Sequence, residues 1–310
     1  MFQALASYAV RGPMQAALVA SSTLVLSTIL APLMVVSSAI IALVWMRSGP
    51  RVGALAVGLS LLLSLVISVF TPLPALALAG VILSSWLPVI VMGWVLRDTI
   101  SLNLAILAGA SVVAIGIVLV YLVIPDPAAS WLNLFGKVLE NPDLLPPRLN
   151  GMEQPEVQKL LETASKYVTG LYAAILFLIA AGSLLLARAW QARLFNPGGL
   201  QKEFHQLRFG KTASLVGLAI LAAAVLFRFQ VLYSLGILAC AVFALQGIAV
   251  MHALVANRGL ARGWLIGGYL LLLLIMPESL LFIGAVGIVD AWLDFREKFA
   301  NKTREDDGQT

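Results

Sequence analysis

The sequence predicts an all-α, polytopic transmembrane helical bundle of about eight to ten spans. Three observations carry that prediction. Only 11% of the 310 residues are charged while 61% are hydrophobic, against roughly a quarter charged in a soluble domain. The apolar residues come in blocks near the about 20 residues that a helix needs to cross the hydrocarbon core. They lack the period of two that a transmembrane β-barrel strand would show.

Taken in order, the apolar blocks fall at 13–30, 32–46, 51–70, 75–96, 101–124, 168–188, 212–229, 231–256, 262–276 and 279–293. The first two and last two are short. Pro32 and Pro277 read as either turns or kinks, which sets eight as the lower count. With Arg11 ahead of the first block, that block is expected to act as an uncleaved signal anchor.

The basic residues set the orientation. Arg47 and Arg51, Arg97, the 187–211 segment, Arg258 with Arg262, and the tail from Arg296 to Arg304 alternate with connections that hold almost no positive charge. The connection at 125–167 has four basic and six acidic residues. The positive-inside rule then assigns both termini to the cytoplasm and 125–167 to the outside. Trp45, Trp94, Trp190, Trp264 and Trp292 all fall at the expected cytoplasmic ends, where an aromatic belt would lie. The net charge of +5 is accounted for by this bias, so nucleic acid is not an expected partner.

The connections carry local signals. Six prolines break up 125–167. Ser130 is a candidate cap for an amphipathic stretch over 131–140, and Pro155 a candidate start for another with Val157, Leu160, Leu161 and Ala164 on its inward face. These stretches read as surface helices or as a lid over an outward cavity. Asn196-Pro-Gly-Gly199 marks a turn before a basic segment with Leu200, Phe204 and Leu207 on one face. The polar residues 298–310 read as a disordered tail.

No metalloprotease HExxH, phosphate-binding loop, nucleophile elbow or dinucleotide fingerprint occurs. Two histidines and the single Cys240 suggest neither a metal site nor a disulfide. An enzyme is not expected, nor a cofactor. What remains is the set of ionisable groups in or beside the apolar blocks, each costly in lipid. Arg208, His252, Asp290, Asp294 and Arg296 form a candidate inner polar cluster, in which Asp290 and Asp294 are one helical turn apart. Arg228 and Glu278 form a candidate outer pair. These groups either fix helix ends or form a proton- or ion-coupled cluster. Small residues mark candidate helix-packing stripes: Ala56, Ser60, Ser64 and Ser68, the Gly263/Gly267 pair, and the shorter Ala16/Ala20. Pro88, with Gly80, Ser84 and Trp86, predicts a kinked helix beside a cavity.

Phe204–Lys211, Gln246–Val255 and Gly287–Arg296 together resemble the YybS-like (DUF2232) family of bacterial multi-pass membrane proteins. The resemblance implies an N-terminal half, residues 1–190, similar to the substrate-binding S-components of energy-coupling-factor transporters and to the cell-shape protein MreD. The apolar blocks and basic residues themselves give an interfacial segment at 191–211 and a four-span half at 212–297, and these four extra spans depart from the S-component pattern. The family resemblance itself implies no established activity; the S-component similarity, taken with the expected kink at Pro88 and the inner polar cluster, leads to the expectation of a permease-like protein for a small solute in the bacterial inner membrane. The alternative is a scaffold that recruits envelope or division proteins through the small-residue stripes. Ala16/Ala20 is comparable to the motif by which S-components dock a transport partner.

Overall fold

A computed structural model describes residues 2–68, 75–139, 154–195, 198–261, 263–275 and 278–298. These residues are helical with short connections and contain no strand. Six helical segments are long and apolar enough to cross a membrane. They are fewer than the expected spans for a physical reason. Helices α2 (Pro13–Leu26), α11 (Gly263–Leu274) and α12 (Glu278–Leu293) have only 14, 12 and 16 residues, short of a full crossing.

Helix α3 (Leu33–Ser68) holds two expected spans in one segment, broken at Gly49, whose φ is 86°. Only glycine takes that backbone readily, and Pro50 suits the first turn of the next helix. The two arms fold back on each other. Ser37 Oγ donates to the carbonyl of Ala20 at 2.8 Å, and Ser21 Oγ donates to that of Ser60 at 3.0 Å. Residues 37 and 60 would be about 35 Å apart on a straight helix, yet both touch the same turn of α2. The hairpin tip is closed from outside: Arg97 reaches the carbonyls of Trp45 and Met46, at 3.5 and 3.4 Å.

Helix α4 (Ala75–Thr99) continues through Pro88. Ser101 caps α5 (Leu102–Val123) by accepting from Leu104 N. Helix α6 (Pro127–Leu139) is capped by Asp126, whose Oδ1 accepts from Ala129 N at 3.0 Å. Ser130, the expected cap, lies inside the helix instead. Its hydroxyl is turned back to the Asp126 carbonyl.

Helix α7 (Gln154–Phe195) has 42 residues, about 63 Å of helix, twice the hydrocarbon thickness. The stretch after Pro155 is therefore no separate surface helix. It is the projecting end of a membrane helix, with Val157 buried and Leu160 exposed.

Short α8 (Gly199–His205) leads to α9 (Gly210–Phe227) and α10 (Gln230–Asn257). Helix α10 packs against α12, α7, α9 and α5. Its middle is the most buried stretch of the chain, from Leu238 to Ala253. A single hydrophobic core joins α2–α5, α7 and α10, so residues 1–190 and 212–297 share one interior. The expected tail from 299, most of the 125–167 connection's turn at 140–153, and the side chain of Ser68 lie outside the described residues.

The small-residue stripes divide. Ala56, Ser60 and Ser64 are buried on the α3 arm that meets α2. Ala16 and Ala20 are fully buried as well, spent on the α2–α3 contact, so neither is available to an outside partner. Gly263 and Gly267 depart from intramolecular packing altogether: a Cβ added at either would meet nothing within 4 Å.

Candidate functional site

The ionisable groups gather at one end of the bundle, in a clasp between the α8–α9 connection and the end of α12. The last carbonyls of a helix run short of intrahelical donors, and at the end of α12 Arg208 adds its own: Nη2 donates to the carbonyl of Asp290, which also accepts from Asp294 N at 3.2 Å, and to that of Ala291, at 3.2 and 3.0 Å, and Nη1 pairs with Asp294 Oδ2 at 2.6 Å. Asp294 can turn there because it takes a left-handed backbone, φ 45°, which Asp tolerates better than most residues.

The exchange is reciprocal. Arg296, just past α12, donates to the carbonyls of His205 and Leu207 at 2.8 and 2.6 Å, which close the end of α8. Each of the two segments thus sends an arginine to the carbonyls at the other's end.

Asp290 lies beneath, with no exposed surface. Its Oδ2 is 3.3 Å from Arg296 Nη2 and accepts from Gln246 Nε2 at 3.3 Å, and its Oδ1 accepts from Phe295 N at 3.2 Å. Gln246 also donates to the Gly287 carbonyl at 2.8 Å and accepts from Phe209 N at 3.0 Å. Arg208 N donates to Asn103 Oδ1 at 3.2 Å, tying α5 to the same knot. Burial pulls the Arg296 guanidinium below its ordinary range, while Asp290 and Asp294 offset that and Arg208 adds to it. A buried carboxylate in apolar surroundings is tolerable only when paired and hydrogen-bonded in this way.

His252 stands beside the clasp, its Nε2 2.7 Å from Tyr269 Oη, linking α10 to α11. Its ring meets Phe204 edge-on at 5.5 Å and lies 6.4 Å from the ring of His205. Arg188 on α7 forms a two-pronged pair with Glu203 on α8. Of the candidate inner cluster, Arg208, Asp290, Asp294 and Arg296 are therefore brought together in space, whereas His252 contacts Phe204, His205 and Tyr269 at its edge. The candidate outer pair is not. Arg228 and Glu278 are both exposed, and no ion pair joins them. Gln246, Asn103 and Glu203 are absent from the sequence-based set. For Gln246 a signal exists, a lone amide inside a long apolar block.

At the opposite end, a cavity of about 210 Å³ opens between α4, α5 and α7, lined by Ser84, Pro88, Gly116, Thr169 and Tyr172 among aliphatic side chains. It shares Val120, Thr169 and Tyr172 with a second space of about 450 Å³ beneath α6. Trp131 of α6 is hinged over this junction. Its Nε1 donates to Thr169 Oγ1 at 2.9 Å, and its ring lies 6.3 Å from that of Tyr172. Helix α4, which continues through Pro88, thus does border a cavity.

The tryptophans are not uniform. Trp94, Trp264 and Trp292 face outward, whereas Trp190 is buried and Trp45 packs across the tip of the α3 hairpin against Gly53. Those two belong to the interior rather than to a belt.

Comparison with known proteins finds no matching family model, no matching curated protein and no matching solved structure. The segments 204–211, 246–255 and 287–296 meet in the clasp.

Proposed function

We propose that this chain is a permease-like protein of the bacterial inner membrane, related to the YybS-like family, with both termini and the clasp on the cytoplasmic side. The observation that carries the reading is the joined cavity at the far end, between α4, α5 and α7 and under α6. A bundle with no ligand to hold has no need of a space roofed by an aromatic helix. The lining is aliphatic with a few hydroxyls, so the solute is small and largely apolar, with one polar end for Thr169, Tyr172 or Ser84. In the same half, Ser38 Oγ, Ser64 Oγ and Trp86 Nε1 are buried and have no hydrogen-bond partner among the described residues. Such groups are costly in a closed apolar core and accord with a polar passage. The clasp, in which Arg208 pairs with Asp294 and Arg296 with Asp290, serves in this reading to hold the cytoplasmic end rigid rather than to move protons.

Gly116 lines the cavity, and a Cβ there would touch nothing within 4 Å. The variant Gly116→Phe should therefore insert and fold but fill the space. Mass spectrometry of small molecules extracted from the purified proteins should find a species in wild type that is depleted at least tenfold in Gly116→Phe. Equal recovery from both, or none from wild type, counts against a solute site. The scaffold reading draws on a different observation, the uncovered face of α11, and would be favoured if a partner protein co-purified stoichiometrically with both variants.

A further inference from the structure

The four serines and threonines of α7 divide three to one. Thr163, Ser165 and Ser183 each turn the hydroxyl back to a carbonyl three or four residues earlier, at 2.9, 2.9 and 2.6 Å, as such side chains commonly do inside a helix. Thr169 does not. Its Oγ1 instead accepts from Trp131 Nε1 at 2.9 Å, and no acceptor among the described residues takes its own proton. Thr169 is nonetheless only 7% exposed, and it lines both the space between α4, α5 and α7 and the one beneath α6. The other polar groups there are spent or exposed. Ser84 and Ser130 donate to the carbonyls of Val81 and Asp126, each at 3.1 Å, and Asn133 and Tyr172 are exposed. No charged side chain lines either space. Helix α6 packs on α7 and at most slightly on any other described helix, so the indole bond is a tie between the roof and the cavity wall.

We propose that Thr169 and Trp131 form a solute-sensing latch: an uncharged solute presents a carbonyl or ether oxygen to the Thr169 hydroxyl, and α6 closes the cavity, on the side away from the clasp, while its indole is held by the same Thr169 oxygen. The inference rests on the reading of this cavity as a solute site and adds the solute's class and the means of closure. A solute that bears only donors leaves the buried Thr169 proton unpaired, which is costly. An ionic solute finds no countercharge in the lining and loses its hydration there. A hydroxyl that accepts one hydrogen bond becomes a better donor for the next, and the reverse holds as well. The chain from indole N–H through Thr169 to the solute oxygen therefore makes filling and closure support each other. Breaking either link weakens the other.

The test uses the full chain in nanodiscs with Cys240→Ala and Gly116→Cys, so that one thiol reports from the cavity wall, and follows its reaction with a water-soluble methanethiosulfonate. Trp131→Phe, which keeps the aromatic ring and removes the donor, should speed the reaction about fivefold, the scale of one net hydrogen bond. Thr169→Val, of nearly the same shape, should do the same. The double variant should be no faster than either, because the two residues share one bond. The solute class is read with two probes of like shape, cyclohexanone and methylenecyclohexane, at equal concentration in the bilayer. The ketone should protect the thiol about fivefold better, and Thr169→Val should erase the difference. Rates unchanged in both single variants overturn the proposal, as do additive rates in the double variant or equal protection by the two probes. The permease reading fails separately. If wild type yields no extracted solute while the ketone still protects through Thr169, that reading falls and the latch stands; an extracted solute with unchanged rates in both variants removes the latch alone.

Discussion

Helices α11 and α12 are neighbours of similar composition, and both carry paired glycines, yet only one is packed. On α12, Gly284 brings its backbone within 3.0 Å of the Cys240 carbonyl as measured from an added Cβ, and a Cβ at Gly287 would fall onto the Phe243 carbonyl. On α11, Gly263 and Gly267 meet nothing. In lipid no hydrophobic effect drives helices together, so small residues permit close approach without enforcing it. The difference lies in polar ties. Helix α12 is bound to α10 and the α8–α9 connection by Asp290, Gln246, Arg208 and Arg296. Among the described residues, α11 has one polar side-chain tie to α10, the His252–Tyr269 contact.

The sharpest way to break this comparison is to remove the tie from the packed helix. Asp290→Leu leaves Arg296 facing a buried apolar group and should cost about 3–5 kcal/mol, the range for stripping one partner from a buried pair. Equilibrium unfolding in mixed micelles would measure it. Adding Arg296→Met to Asp290→Leu should recover part of the loss, because two apolar groups satisfy each other. Stability equal to wild type in Asp290→Leu alone would mean that glycine packing suffices without the clasp.

Next in size is a matched pair of substitutions. Gly287→Leu drives a side chain into the α10 backbone, which cannot yield as a flexible side chain can, and should cost about 3 kcal/mol or more. Gly267→Leu enters open space and should stay within about 0.5 kcal/mol. Losses of similar size for the two would show that α11 is as tightly held as α12, and the contrast would fail.

Much of this contrast is hidden in the sequence, for identifiable reasons. The ionisable residues of the clasp stand out because each is expensive beside lipid, and this selects Arg208, Asp290, Asp294 and Arg296 without any structure. Asp290 and Arg296 are near each other in sequence, but the ties of Arg208 to Asp294 and of Arg296 to the His205 carbonyl do not stand out, because those partners are separated by more than 80 residues. Gln246 is neutral and so escapes a search for charge, although it bonds to both sides of the clasp. The turn between the blocks 32–46 and 51–70 is legible from Arg47 and Arg51, and the structure supplies the local device there, a left-handed Gly49 followed by a first-turn Pro50. The glycines of α11 and α12 read alike, because what separates them is the neighbour and not the stripe. The Arg228–Glu278 pairing fails similarly: both sit at the far end, but shared depth does not bring two exposed side chains together. For 154–167, the proline at the start reads as a helix beginning, and nothing in the sequence says that the helix then continues into the membrane.

The smallest expected effect concerns the α8 side of the clasp. Partial burial pushes the His205 imidazole below its ordinary value of 6.5, and the Arg296 guanidinium adds to the shift. The His252 ring lies on the same side, and Phe204 precedes it in the chain. The closed clasp therefore favours neutral His205, and an opened connection takes up the proton more readily. The direction follows: the contribution of this residue is present above pH 6.5 and is lost as pH falls below it. Hydrogen exchange over 199–209 should accordingly quicken as pH is lowered from about 7.5 to 5.5 once intrinsic exchange is subtracted, by more than it does over the core of α10, because the arginine bonds to His205 and Leu207 carbonyls release first. His205→Asn should flatten that dependence while leaving the Asp290 tie in place. An unchanged pH dependence in His205→Asn would move the sensitivity to another group and remove the histidine from the account of what distinguishes the clasped helix from its unclasped neighbour.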